Sequence, residues 1–163
     1  MTWRNAFIEQ ARHDYAVYRM LNQQGAVVSD QLHYIQMSSE KLSRGYLADS
    51  TDPNPLEMTH AGVVRMLQLL KADRLLRRKL GYASSRSFTL YIDSLLDVAG
   101  RIQALAPAIA GTTQPNPEYP WLDRGANEIR VPCRHNFDDM NRAHNPEFEK
   151  FLKLLGKLVT VIN

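Results

Sequence analysis

The chain has 163 residues, of which 44% are hydrophobic and 23% are charged, and its net charge is +3. A chain of this length and composition is typical of one globular domain that buries a core without disulfide or metal cross-links. Cys133 is the only cysteine, which excludes a disulfide framework and a cysteine-built zinc site. No apolar run reaches the roughly 20 residues that span a bilayer, and the N-terminal residues lack the apolar core of a signal peptide. We therefore expect a single domain, residues 1–163, in the cytoplasm and not in a membrane.

Two amphipathic helices are predicted first, and Gly25 separates them. The first covers residues 3–23, with an apolar stripe of Phe7, Ala11, Tyr15, Tyr18 and Leu21. The second starts near Ser29 or Asp30, both good N-caps. Its stripe comprises Val28, Leu32, Ile35, Ser39, Leu42 and Tyr46. The sequence STDPNP, residues 50–55, then favours a break, because proline, aspartate and asparagine favour turns.

Two further helices are predicted before residue 107. The third runs from about Thr59 to Gly81 and the fourth from about Ser87 to Pro107. The apolar side of the third is formed by Val63, Met66, Leu67, Leu70 and Leu75 or Leu76. That of the fourth is formed by Tyr91, Leu95, Val98, Ile102 and Leu105.

Helical periodicity fails between residues 107 and 144, where proline and glycine are frequent. We expect a long ordered loop here, since Tyr119 and Trp121 are large rings that tend to pack. The sequence EIRVP, residues 128–132, suggests a short extended piece. A last helix is predicted over residues 145–162, with Asn145 as N-cap and Pro146 in the first turn. Its buried side comprises Phe148, Phe151, Leu152, Leu155, Leu158, Val159 and Ile162.

These segments predict an all-α fold. We expect an antiparallel up-and-down four-helix bundle over about residues 3–106, followed by the loop 107–144 and the C-terminal helix 145–162. Amphipathic helices cannot bury their stripes alone, so they must share one core.

Four stretches, in the same order, resemble the HEPN domain, a nucleotide-binding helical family of higher eukaryotes and prokaryotes. ARHDYAVYRML, with Asp14, resembles its first helix, and QLHYIQMSSEKLSRGYLA resembles its second. PLEMTHAGVVRMLQLL, with Thr59 and His60, resembles the entry to its third helix. EYP, residues 118–120, resembles the Tyr-Pro that follows its fourth helix.

This resemblance implies an up-and-down helical bundle that forms a homodimer and needs no cofactor. Many family members are metal-independent ribonucleases, often toxins paired with a nucleotidyltransferase-like protein, whereas others bind nucleotides or act as scaffolds. The ribonucleases carry an arginine, four to six residues, and a histidine. Arg130 and His135 have that spacing, but Val131 and Pro132 depart from the family pattern, in which a polar residue follows the arginine and the pair opens a helix.

Metal-free RNA cleavage requires a group that moves protons and a group that binds phosphate. The imidazole of His135 is suited to the first task near neutral pH, and the guanidinium of Arg130 to the second. The alternative is a loop that contains both residues without a catalytic role, because proline disfavours a helical turn through Val131.

Other candidates are cationic. Lys41, Arg77, Arg78 and Arg134 are predicted to bind nucleotide or RNA. The stretch from Lys71 to Arg86 carries six cations and one acid, Asp73, which indicates either a phosphate-binding patch or an ordinary solvated helix end.

Several polar residues have a structural explanation beside the functional one. Asp14, Glu40 and Lys41 could meet in a salt bridge or at a nucleotide pocket. Cys133, next to Arg134, is either an activated thiolate or an inert thiol. The five histidines lack the spacing of a helical metal pair, so we expect no metal site.

The sequence therefore predicts a HEPN-like regulatory module that binds a nucleotide, RNA or a partner protein, without strong catalysis. A metal-independent ribonuclease that uses Arg130 and His135 is the alternative.

Overall fold

The computed structural model describes residues 1–48, 62–140 and 145–162. These residues form eight α-helices and one two-stranded antiparallel sheet, so the protein is mostly α-helical, as predicted. In chain order the helices are α1 (Trp3–Gln23), α2 (Val28–Leu47), α3 (Gly62–Leu70), α4 (Arg74–Lys79), α5 (Ser85–Asp93), α6 (Leu96–Ala104), α7 (Pro107–Ala110) and α8 (Pro146–Val161). The strands are β1 (Trp121–Asp123) and β2 (Glu128–Arg130). The predicted break at residues 50–55 and the predicted helix start at Thr59 lie outside the described residues.

Helix α1 has the predicted bounds, and Gly25 after it adopts a positive φ of 66°. Helix α2 begins at Val28, so the predicted cap at Ser29 or Asp30 is wrong. Val27 is the N-cap and makes no side-chain capping bond. The Gln31 side chain, which donates to the Ala26 carbonyl at 2.7 Å, helps to fix this entry instead.

The predicted third helix is broken into α3 and α4. Asp73 causes the break, because its Oδ1 accepts hydrogen bonds from the backbone N–H groups of Leu75 (3.0 Å) and Leu76 (2.9 Å). Asp73 thus acts as the N-cap of a new helix. Its second oxygen, Oδ2, accepts the Tyr46 hydroxyl at 3.2 Å, which ties the break to α2. Burial and this neighbouring carboxylate raise the pKa of Tyr46 to about 12.

The predicted fourth helix is also divided, into α5 and α6, and it begins at Ser85 with Ser84 as its cap. At the division the Leu95 N–H donates to the Ile92 carbonyl, three residues back. The Ser94 hydroxyl donates to the Tyr91 carbonyl at 2.7 Å. Such a bond from a serine side chain competes with the backbone hydrogen bonds of a continuous helix. Pro107 does not end a helix but opens the short helix α7.

Helices α1 and α2 form the longest helix pair and run antiparallel, since Ser38 of α2 meets Ala11 of α1, whereas Gly45, seven residues later, meets Ile8 and Arg4. Helices α3 and α6 pack on α2, and α8 packs on α1 and α6. The predicted stripe of α8 is buried throughout. The largest fully buried side chains of the shared core are Phe88, Ile8, Leu32, Ile35, Leu42, Met66, Leu67, Leu70, Ile92, Leu95, Ile102 and Leu154. The up-and-down order of a four-helix bundle stays a prediction.

The loop predicted over residues 107–144 is more structured than expected. It contains α7, the β1–β2 hairpin and two 3-10 turns, Pro132–Arg134 and Asp138–Met140. The extended piece predicted at residues 128–132 is confirmed for Glu128–Arg130.

Replacing Asp73 with alanine should lower the free energy of unfolding by about 2–3 kcal/mol, because α4 loses its cap and the Tyr46 hydroxyl loses its acceptor. Urea denaturation of the two proteins measures this difference. Asp97→Ala is the control, since Asp97 is 79% exposed and pairs with Arg101 on the surface, so its loss should cost less than about 1 kcal/mol. Equal effects of the two substitutions would contradict the role given to Asp73.

Candidate functional site

A short hairpin carries the first predicted site residue. Trp121 pairs with Arg130 across the two strands, and Asp123 pairs with Glu128. The hairpin turn is held by Asp123, whose Oδ1 accepts the N–H groups of Gly125 (3.0 Å) and Ala126 (3.2 Å). These bonds, that from Ala126 foremost, and the nearby Arg130 guanidinium hold the pKa of Asp123 below its ordinary value. Asp123 therefore stays a carboxylate beside Arg130.

The second predicted residue follows a proline turn. Pro132 is buried and opens the 3-10 turn Pro132–Arg134, which packs against α2. The His135 ring then lies edge-on to Trp121, with ring centroids 4.9 Å apart, and to Phe137, at 4.6 Å. Phe137 is buried at a positive φ of 45°, a backbone conformation that costs about 1–2 kcal/mol. Aromatic packing offsets that cost and fixes the direction of the imidazole.

Arg130 and His135 line one cleft of about 200 Å³ together with Arg134 and the apolar side chains Ile129 and Val131. We call these five residues the Arg130 cleft. Two arginines and one histidine thus line one small space, although Arg130 and His135 do not share a helix. The hairpin supplies Arg130, and the proline turn supplies the other two polar groups.

Arg130 already has two carboxylate partners. Its Nε lies 3.4 Å from Asp123 Oδ2, and a terminal nitrogen lies 3.4 Å from Glu128 Oε2. All three side chains are at least 38% exposed, so solvent screening leaves each ion pair weak. A more highly charged anion can therefore compete for Arg130 at little cost.

The other predicted binding residues do not join the Arg130 cleft. Lys41 lies between α1 and α2, where its ammonium group is 2.7 Å from Asp14 Oδ2. Arg77 and Arg78 lie on α4; Arg78 is exposed, and the Nε of Arg77 is buried without a hydrogen-bond partner in the described parts of the chain. The predicted basic patch is also partly neutralised, since Lys71 pairs with Asp93 at 2.9 Å.

A buried polar network joins α1 to α2, and one of the two predicted explanations for Asp14 and Lys41, a salt bridge, is confirmed. The Asp14 side chain is 5% exposed and also accepts from Gln10 at 2.9 Å. Glu40 does not join this pair but binds Arg44 at 2.9 Å. Burial of an ion pair is compensated only when such additional hydrogen bonds are made.

Two further predictions concern a metal site and the thiol of Cys133. No group of three histidine, cysteine or acidic residues there lies close enough to hold a metal ion. Cys133 is exposed beside Arg134. His60 and His144 lie outside the described residues, as does Thr59.

A second cationic surface was not predicted. Arg19, Lys79, Lys153 and Lys157 line a groove between α1, the end of α4, and α8. The sequence does show one signal, the four-residue spacing of Lys153 and Lys157, which places both on the same side of α8. The approach of Arg19 and Lys79 depends on tertiary packing and leaves no local pattern.

Comparisons with protein-family models, with curated proteins and with solved structures find no match to this chain. Among the helices of the described residues, none is both long and apolar enough to cross a bilayer.

Replacing Lys41 with methionine should destabilise the protein by about 3 kcal/mol, because it leaves the buried Asp14 carboxylate without its cation. Asp14→Asn should cost less, since Lys41 is 21% exposed and reaches water. The double variant Asp14→Asn/Lys41→Met should be more stable than the sum of the two single losses predicts. Urea denaturation of all four proteins measures this coupling, and strict additivity would show that the ion pair is energetically unimportant.

Proposed function

We propose that the protein is a HEPN-like helical module that binds the phosphate groups of RNA or of a nucleotide in the Arg130 cleft, without strong catalysis. One observation carries the proposal: Arg130, Arg134 and His135 line the same cleft. The proposal includes the implications of the HEPN resemblance, namely a cytoplasmic homodimer with a nucleotidyltransferase-like protein as a candidate partner.

The chemistry of the cleft favours phosphate over a neutral ligand. A guanidinium is planar, always charged, and able to give two parallel hydrogen bonds to one phosphate. Two such groups in one small space can hold one phosphate from two sides. The carboxylates of Asp123 and Glu128 hold Arg130 in place, and their exposed ion pairs are weak enough to be exchanged for a phosphate.

The apolar part of the cleft favours a ligand that carries a base. Ile129 is 75% exposed and Val131 is 36% exposed, and both line the cleft beside the arginines. Exposed apolar side chains next to phosphate-binding groups can contact the face of a nucleobase. This combination supports RNA or a nucleotide over an inorganic anion.

The same geometry argues against strong catalysis by one protomer. Cleavage at a 2′-hydroxyl needs one group to take a proton and another to give one. Within the described residues the cleft holds one imidazole, that of His135, whose ring is packed against Trp121 and Phe137. Arg130 is partly neutralised by two carboxylates, which lessens its ability to offset transition-state charge.

Arg130→Gln and Arg134→Gln should each weaken the binding of a fluorescein-labelled single-stranded RNA by about tenfold at low salt, because each removes one phosphate contact. Fluorescence anisotropy measures the dissociation constants, and unlabelled ATP as competitor shows whether a nucleotide occupies the cleft. Arg124→Gln is the matched control: Arg124 is exposed in the same hairpin turn but does not line the cleft. RNA binding that falls equally in all three variants, or that none of them changes, would refute the proposal.

Metal-independent ribonuclease activity is the second candidate, and the observation that favours it is the shared cleft of Arg130 and His135. In a HEPN-like dimer, two copies of the pair would meet and supply both proton-transfer groups. Our first proposal predicts that RNA incubated with the protein in a chelator stays intact on a denaturing gel. Cleavage that is lost in both His135→Ala and Arg130→Ala, but retained in Arg124→Gln, would establish the ribonuclease instead.

A further inference from the structure

The groove between α1 and α8 concentrates positive charge. Arg19, Lys79, Lys153 and Lys157 all line it, and none of its lining residues within the described parts of the chain is acidic. Their four positive charges exceed the net charge of +3 of the whole chain. Like charges repel, so gathering them on one surface has a cost that a bound anion would remove.

Two of these cations are uncommitted within the described residues. Neither Arg19 nor Lys157 has an ion pair or side-chain hydrogen bond there, and both are exposed. Lys153 pairs with Glu149 at 3.5 Å, but its side chain is 69% exposed, so that contact is weak. These three side chains are therefore available to a ligand.

Lys79 has a structural task as well. Its ammonium group donates to the Val161 carbonyl at 3.3 Å, at the C-terminal end of α8. Arg12 likewise donates to the carbonyls of Val159 and Ile162, each at 2.7 Å. Free carbonyls at a helix C-terminus would repel an anion, and these two cations neutralise them.

The groove has room for a ligand larger than one ion, and Gly156 contributes to its shape. Gly156 of α8 has no side chain, and a Cβ atom there would collide with the Tyr15 hydroxyl of α1. The absence of that atom lets Tyr15 lie across α8 beside the lysines. The groove has a volume of about 460 Å³, in the range of sites that bind small organic ligands.

The spacing of the cations suits a chain of charges. Lys153 and Lys157 are four residues apart on one face of α8, about 6 Å along the helix axis, with Arg19 and Lys79 on the other elements. Cations that come from three different helices can each contact a different member of a row of linked phosphates. We propose that this groove binds a ligand with several linked phosphate groups. The site lies on other elements than the Arg130 cleft and does not depend on the function proposed for that cleft.

Inorganic tripolyphosphate is the probe, with binding measured by calorimetry at low salt. Arg19→Gln/Lys157→Gln should weaken binding about tenfold, since it removes the two uncommitted cations. Arg65→Gln/Lys150→Gln is the matched control, because it removes the same net charge from two exposed side chains outside the groove. Thermal melting checks that each variant folds.

Unchanged binding in the control double variant, with loss in the groove variant, supports the proposal. No binding of tripolyphosphate to the unsubstituted protein, or equal loss in both double variants, overturns it. Arg130→Gln/Arg134→Gln should keep tripolyphosphate binding, so the groove and the cleft can fail separately.

Competition identifies the source of the phosphates. Single-stranded RNA that displaces tripolyphosphate from the groove identifies a nucleic-acid backbone as the ligand. If RNA does not displace tripolyphosphate, the ligand is a free polyphosphate compound. Either result agrees with the site, and only the variants decide whether the site exists.

Discussion

The rest of the structure depends on the close antiparallel contact between α1 and α2. Gly45 makes it possible, because a Cβ atom there would lie 2.8 Å from the Ile8 side chain and 3.1 Å from the Arg4 carbonyl. The small residues Ala11 and Ser38 continue the contact, with the Ser38 hydroxyl donating to the Ala11 carbonyl at 2.9 Å. The Asp14 carboxylate is only 5% exposed in this narrow interface, so it depends on Lys41 and Gln10 for its partners. The ion pair thereby also fixes the register of the two helices.

Helix α2 also contacts the loop that carries the candidate site and so helps to position it. Helix α2 packs on α1 and also contacts the turn that the buried Pro132 opens. His33 of α2 lies 3.5 Å from Glu118, which adds a polar contact to the same loop. The cleft is thus positioned by the packing of the Pro132 turn on α2, whereas Arg130 is held by exposed ion pairs. That division suits a binding site, because the frame stays fixed and the charged side chain can change partners.

The sequence predicts those helix termini that are fixed by interactions between neighbouring residues. The ends of α1 and α8 follow from Gly25, Asn145 and Pro146, whose effects act within one turn. The breaks after Leu70 and at Ser94 were missed, since an apolar stripe continues through them. In the sequence Asp73 is one acid in a basic stretch. Its contact with Tyr46, 27 residues earlier, depends on tertiary packing and leaves no local signal. The same limit applies to the sites: the spacing of Arg130 and His135 was visible, but their convergence depends on a hairpin and a proline turn.

Charge distribution separates the two cationic surfaces chemically. In the Arg130 cleft Arg130 is paired with carboxylates of the same hairpin, so a phosphate that binds this guanidinium competes with Asp123 and Glu128. Among the described residues no carboxylate lines the groove between α1 and α8, and an anion there competes with Glu149 for Lys153 alone. Electrostatic attraction without competition favours any polyanion, whereas exchange between partners favours the ligand with the best hydrogen-bond geometry. The groove is therefore suited to hold a chain of phosphates with little selectivity, and the cleft is suited to select among ligands.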